Sequence, residues 1–139
     1  MKKQVDDHID EWKNKYLRAL ADYQNLEKRK GEEIGQVRRF AGEALIVKLL
    51  PIVDTFERAQ AHVNDPGLGL ALKELETFLE EAGVKKMEVV GKPFSPHEME
   101  CIEVVDGQDT IVVEELLPGY LLHGKVIRIA HVKVGKRKE

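Results

Sequence analysis

The residue types that most often carry chemistry are thinly spread in this chain. His97-Glu98 beside Glu100 offers an imidazole and two carboxylates within four positions, a donor set of the kind that binds a divalent metal. Surface residues of a turn are the favoured reading of that group. His8, His62, His123 and His131 are scattered. Cys101 is the only cysteine, which excludes an internal disulfide and a multi-cysteine zinc site. Nothing beside it argues for an activated thiol, and it is expected as a small buried residue at the start of a strand. No glycine-rich phosphate loop and no His-Glu-x-x-His occurs. Lys28-Arg29-Lys30 and Arg38-Arg39 carry the charge for phosphate contacts, but Glu27, Glu32 and Glu33 answer them, so a solvated helix face is favoured. The Lys136-Arg137-Lys138 end reads as solubilising. The expectation is a protein without catalytic group, metal or cofactor.

Composition points the same way. The 139 residues are 34% charged and only 6% aromatic, with a net charge of −3. That balance argues against a strongly basic nucleic-acid binder. No apolar run is long enough to span a bilayer and no basic-then-apolar leader opens the chain, so a soluble cytoplasmic protein is expected. Charge is uneven: residues 1–40 hold 10 positive and 8 negative groups, residues 41–83 hold 3 and 8, and residues 84–139 hold 9 and 9. The first proline is Pro51. A proline-free stretch rich in Lys, Glu, Arg, Ala and Leu reads as helix. After Gly83 β-branched residues alternate with polar ones, so a helical half gives way to a β half there, with Gly83 as a helix C-cap.

Val5, Ile9, Trp12, Tyr16, Ala19, Tyr23 and Leu26 are spaced 4, 3, 4, 3, 4, 3, a heptad seam. Lys30 and Glu33 break it, and Ile34, Val37, Ala41 and Leu45 resume the stripe in a shifted register. The step from Tyr23 to Ile34 is 11 residues, which relaxes left-handed supercoiling. A helix from Val5 to Leu50 is roughly 70 Å long, about twice the diameter of a small domain. The rest of the chain is too short to cover such a stripe, so a second copy is the simplest partner, in a parallel homodimer. Gly31, Gly35 and Gly42 each cost about 1 kcal/mol against Ala and make a soft segment where the heptad fails.

Pro51 is expected to kink or restart the helix, with Leu49, Leu50, Val53 and Phe56 on an apolar face around it. His62 to Gly69 is read as a turn, with Asn64-Asp65-Pro66-Gly67 as strong breakers, and Leu68, Leu72, Leu75 and Leu79 stripe a second short helix. Two such helices from each of two chains make a four-helix bundle. Strands are expected over Lys86 to Val90, Cys101 to Val105, Thr110 to Leu116 and Val126 to Val134. They form a small, mainly antiparallel sheet or partial barrel suited to docking on a surface. The fold class is α+β, in three parts: 1–50 a long dimerisation helix, 51–83 short helices of the dimeric bundle, and 84–139 a β-domain. The expected dimer interface comprises Val5, Ile9, Trp12, Tyr16, Tyr23, Leu26, Ile34, Val37, Leu49, Leu50, Val53 and Phe56.

Four ordered motifs carry a resemblance. They are Tyr23-Gln24-Asn25-Leu26-x-Lys28-Arg29; Leu49-Leu50-Pro51-x-x-Asp54-x-Phe56-x-Arg58-Ala59; Leu79-x-x-x-Gly83-Val84 with Gly91-x-Pro93-Phe94-x-Pro96; and Gly119-Tyr120-x-Leu122-x-Gly124-Lys125-Val126-Ile127-Arg128-x-Ala130-x-Val132-x-Val134. Together they resemble the GrpE family, the nucleotide exchange factors of DnaK-type chaperones, from about Trp12 to Val134. The sequence departs from the family pattern at Glu27, where a basic residue is usual, and around His97-Glu98. The resemblance implies a homodimer that binds the nucleotide-binding domain of a DnaK-type chaperone. The β-domain wedges against one lobe and holds the cleft open, so that ADP leaves and ATP enters. It implies chaperone contacts at Lys125, Val134, Leu116 and Gly67, with Arg128 supporting the sheet, and a long helix that softens with heat. A passive coiled-coil scaffold, with partner binding but no effect on nucleotide release, is the alternative.

Overall fold

A computed structural model describes residues 1–137. Lys138, part of the basic end singled out above, lies outside them. The chain divides into two compact units, Met1–Ala41 and Gly42–Glu139.

The first unit is one helix, α1 (Lys2–Phe40), 39 residues long and with no buried residue. Its surface is laced by local pairs, Lys15 on Glu11 at 2.7 Å and Arg29 on Glu33 at 3.7 Å, both at i,i+4 spacing. The heptad residues Val5, Ile9, Trp12, Tyr16, Tyr23, Leu26, Ile34 and Val37 are all exposed.

The second unit opens with α2 (Glu43–Val63) and α3 (Pro66–Glu81). One continuous helix to Leu50 is not what forms. The helical hydrogen bonding is interrupted at Ala41–Gly42, where Gly42 becomes the N-cap of α2 at φ −90°, ψ −3°. Pro51 does not end the helix either: it lies inside α2, on the solvent side, at the cost of one backbone hydrogen bond. The turn is shorter than read: His62 and Val63 still belong to α2, and Pro66 to Gly69 already belong to α3. Asn64 closes α2 in the left-handed conformation, and the Asp65 side chain caps α3 by accepting from the Leu68 amide at 2.8 Å, with Pro66 in the first turn. Gly83 follows the end of α3 at φ +88°, with the His123 ring over its Cα.

Six strands form two three-stranded sheets. The first joins β1 (Val84–Lys86), β4 (Tyr120–Leu122) and β5 (Lys125–Arg128) in the order β1-β4-β5, all antiparallel. The second joins β2 (Met99–Asp106), β3 (Val112–Leu117) and β6 (Ala130–Lys136) in the order β2-β6-β3, with β2 parallel and β3 antiparallel to β6. Three expectations change. The strand expected at Lys86 to Val90 is Val84–Lys86, with Met87 and Val89 buried beyond it in non-strand backbone. The single strand expected at Val126 to Val134 is two strands, because the chain leaves the first sheet at Ile129 and enters the second. Cys101 is exposed, not buried: it pairs in register with the core residue Val132 but lines an open groove beside Phe94 and Val134.

The sheet core comprises Met87, Val89, Met99, Val112, Ala130, Val132 and Val134, with Phe94, Leu121 and Val126 packed against it. Gly119 lets the β3–β4 corner close on it: a Cβ there would stand 2.8 Å from the Ala130 amide nitrogen and from Met87 Sδ. The helices have their own buried set. α2 packs on α3 and β5, and α3 packs on β1. The buried residues of these helices and of β1 and β4 are Leu50, Val53, Leu72, Leu79, Val84, Tyr120 and Leu122.

Candidate functional site

One face of α2 is acidic and meets three cations of the first sheet, one on β1 and two on β5. Glu43, Asp54 and Glu57 lie 11 and 14 residues apart from the first, close to whole numbers of turns, so they share a side of the helix. Each takes a cation from the sheet. Asp54 holds Arg128 of β5 through both terminal guanidinium nitrogens, Nη2 donating to Oδ1 at 2.8 Å and Nη1 to Oδ2. Glu43 accepts from Lys125 Nζ with both oxygens, at 3.0 and 2.9 Å. Glu57 accepts from Lys86 Nζ at 3.3 Å.

The central pair is the most shielded. The Arg128 and Asp54 side chains are 15% and 13% exposed, and Arg128 Nε also donates to the Pro118 carbonyl at 2.9 Å. The guanidinium lies over the Tyr120 ring, 5.0 Å from its centroid. Burial, then the nearby Glu57 and Asp54 charges, push the Tyr120 phenol up to about 12, so it stays protonated. Burial also raises Glu115 above the usual carboxylate range, Lys86 opposing the shift. Its Oε2 is buried with no hydrogen-bond partner among the described residues. Arg128 therefore ties the sheet to α2, in line with its expected supporting role.

The four expected chaperone contacts are not gathered into one cluster. Lys125 is on β5, exposed, at the first turn of α2. Leu116 is an exposed residue of β3 in a cleft lined by Pro118 and by Thr55, Arg58 and Ala61 of α2. Those α2 residues lie roughly 20 Å along the helix from Glu43. Gly67 is exposed in the first turn of α3. Val134 is only 8% exposed and belongs to the sheet core, where it floors a shallow apolar groove with Phe94, Cys101 and Val104.

The expected dimer face on α2 needs one correction. Leu50 and Val53 are buried inside their own chain, on the side of the helix that turns toward α3 and the sheet. The solvent side carries a different stripe, Leu45, Ile52, Phe56 and Val63, with half-buried Leu49 between the first two, at spacings of 4, 3, 4 and 7. The acidic partners Glu43 and Glu57 were not singled out from sequence. Their signal was the 3-to-8 charge imbalance of residues 41–83, read at helical spacing.

Among the described residues no helix is long and apolar enough to cross a membrane, and no three His, Cys, Asp or Glu side chains stand together as metal ligands. The GrpE family model matches residues 2–136. "Protein GrpE" of Carboxydothermus hydrogenoformans is 39% identical, over 88% of this chain and 68% of its own length. That of Chloroherpeton thalassium is 34% identical, over 92% and 70%. That of Parageobacillus thermoglucosidasius is 35% identical, over 96% and 64%. The chain thus spans about two thirds of the length of these relatives. The α2 motif that holds Arg128 and the terminal strands that present it both fall within the matched residues, and the chain belongs to the GrpE family.

Proposed function

We propose that this chain is a nucleotide exchange co-chaperone. As a cytoplasmic homodimer it binds the nucleotide-binding domain of a DnaK-type chaperone, favours the open cleft and so releases ADP. The observation that carries the reading is the family match across residues 2–136. The exposed heptad seam of α1 and the outer stripe of α2 support the dimer: a 39-residue helix that buries nothing in its own chain has its apolar side available to a twin. In this reading α1 pairs with its copy, α2 and α3 of two chains build a four-helix bundle, and the β-domain from Val84 onward meets the chaperone. Lys125 supplies a charge-assisted contact, and Leu116 and Gly67 supply exposed surface. Exchange works by differential binding. A protein that prefers the open chaperone shifts the population toward it without making or breaking a bond.

Release of a fluorescent ADP analogue from a DnaK-type chaperone, followed with and without this protein, tests the reading. Acceleration that saturates with concentration is expected. Binding without acceleration supports the passive scaffold instead, and neither binding nor acceleration overturns both.

A further inference from the structure

We infer that Glu43 is a positioning residue that competes internally for Lys125 and sets how readily this lysine meets an acidic group on the chaperone. The inference rests on the reading of Lys125 as a chaperone contact. Both carboxylate oxygens of Glu43 lie within 3.0 Å of Lys125 Nζ, so the cation is already engaged before any partner arrives. An incoming carboxylate must share that ammonium with Glu43, against like-charge repulsion, or displace it.

The pair is built to open. Its side chains are 55% and 29% exposed, and exposed ion pairs hold weakly. Glu43 also stands in the first turn of α2, where the helix dipole favours a negative charge. The carboxylate therefore keeps a favourable site when the lysine leaves, which lowers the cost of release. Three residues further along the same strand the pattern is opposite. Arg128 is held bidentately by Asp54 in a mostly buried pair, so β5 stays docked while Lys125 turns away from Glu43.

The test is a set of affinities for a DnaK-type nucleotide-binding domain loaded with the fluorescent ADP analogue, using the full chain and its Glu43→Gln, Lys125→Gln and double variants. All are surface changes, and circular dichroism checks the fold. Lys125→Gln is expected to weaken binding. Glu43→Gln is expected to tighten it about two- to fivefold in about 50 mM salt, with the gain fading toward about 0.5 M as screening sets in. The double variant is expected to match Lys125→Gln alone. If Lys125→Gln weakens binding but Glu43→Gln leaves it unchanged or weakens it, the competition is refuted while the lysine contact stands. A gain from Glu43→Gln that survives without Lys125 also overturns the inference. No effect of Lys125→Gln removes the contact itself, and the inference with it.

Discussion

Arg128 of β5 and Asp54 of α2 are 74 residues apart in sequence and closed on one another through two hydrogen bonds, one at 2.8 Å. Breaking a shielded pair by removing one partner leaves the other charge without compensation. Asp54→Asn is therefore expected to lower stability by about 2–4 kcal/mol. Asp54→Asn with Arg128→Met is expected to recover part of the loss, because no orphaned charge remains. Urea denaturation of Asp54→Asn, Arg128→Met and the double variant, read as a double-mutant cycle, measures the coupling. Additive single effects would show that the pair contributes nothing beyond its separate residues.

Glu115 gives a pH signature. Its folded pKa lies above the ordinary carboxylate value of 4.5 because burial disfavours the charged carboxylate. The folded state thus holds this proton more tightly than the unfolded chain. The stabilisation from its protonated form is present in full below about 4.5 and is lost as pH rises through the folded pKa. Once ionised, Glu115, whose buried Oε2 has no hydrogen-bond partner among the described residues, weighs against folding. Glu115→Gln is expected to raise the urea midpoint at pH 7 and to flatten its dependence on pH above 4.5. A lower midpoint at pH 7 would mean that attraction to Lys86 outweighs the burial.

The two apolar sides of α2 are expected to respond differently to substitution. Leu50 is wholly buried within its own chain, so Leu50→Ala removes packing and is expected to cost about 2–5 kcal/mol of stability. Phe56 on the solvent side is 44% exposed, so Phe56→Glu is expected to leave the fold of the second unit intact and to weaken self-association. Combined with Ile9→Glu and Leu26→Glu in the α1 seam, it is expected to bring the mass in sedimentation equilibrium down to the 15.8 kDa of one chain. A monomeric mass before any substitution contradicts the dimer outright.

What could be read from sequence divides by range. Caps and turns at Asn64, Asp65 and Gly83 were legible because their determinants are local. The α1 stripe was legible because its period is unmistakable. On α2 two apolar stripes coexist, and periodicity alone does not tell which of Leu50 and Phe56 faces inward; only the sheet that packs there decides. The change of sheet at Ile129 was hidden because Val126, Arg128, Ala130, Val132 and Val134 keep their alternation straight through it. The open groove that leaves Cys101 exposed likewise leaves no mark on composition. The candidate site was half legible. Lys125 and Leu116 came from motif resemblance, whereas Glu43 acquires its role only when strand β5, 82 residues away, is laid beside it.

The glycines of the long helix supply the remaining prediction. A Cβ added at Gly31 or Gly35 meets nothing within 4 Å, and one at Gly42 meets only Ile46 Cδ1 at 3.7 Å, an ordinary contact. None of the three has a positive φ. No clash or strained backbone therefore opposes alanine, and only the helix propensity term remains, about 1 kcal/mol for an interior position. Gly42 is the N-cap of α2, so most of its gain depends on whether alanine lets α1 run through the interruption at Ala41–Gly42. Gly31→Ala with Gly35→Ala is expected to raise the midpoint of the helical melt followed at 222 nm, and adding Gly42→Ala is expected to raise it further. The urea midpoint of the sheet, followed through near-ultraviolet signals of Tyr120, is expected to stay where it was. An unchanged helical melt in the triple variant would show that these glycines do not set the softness of α1.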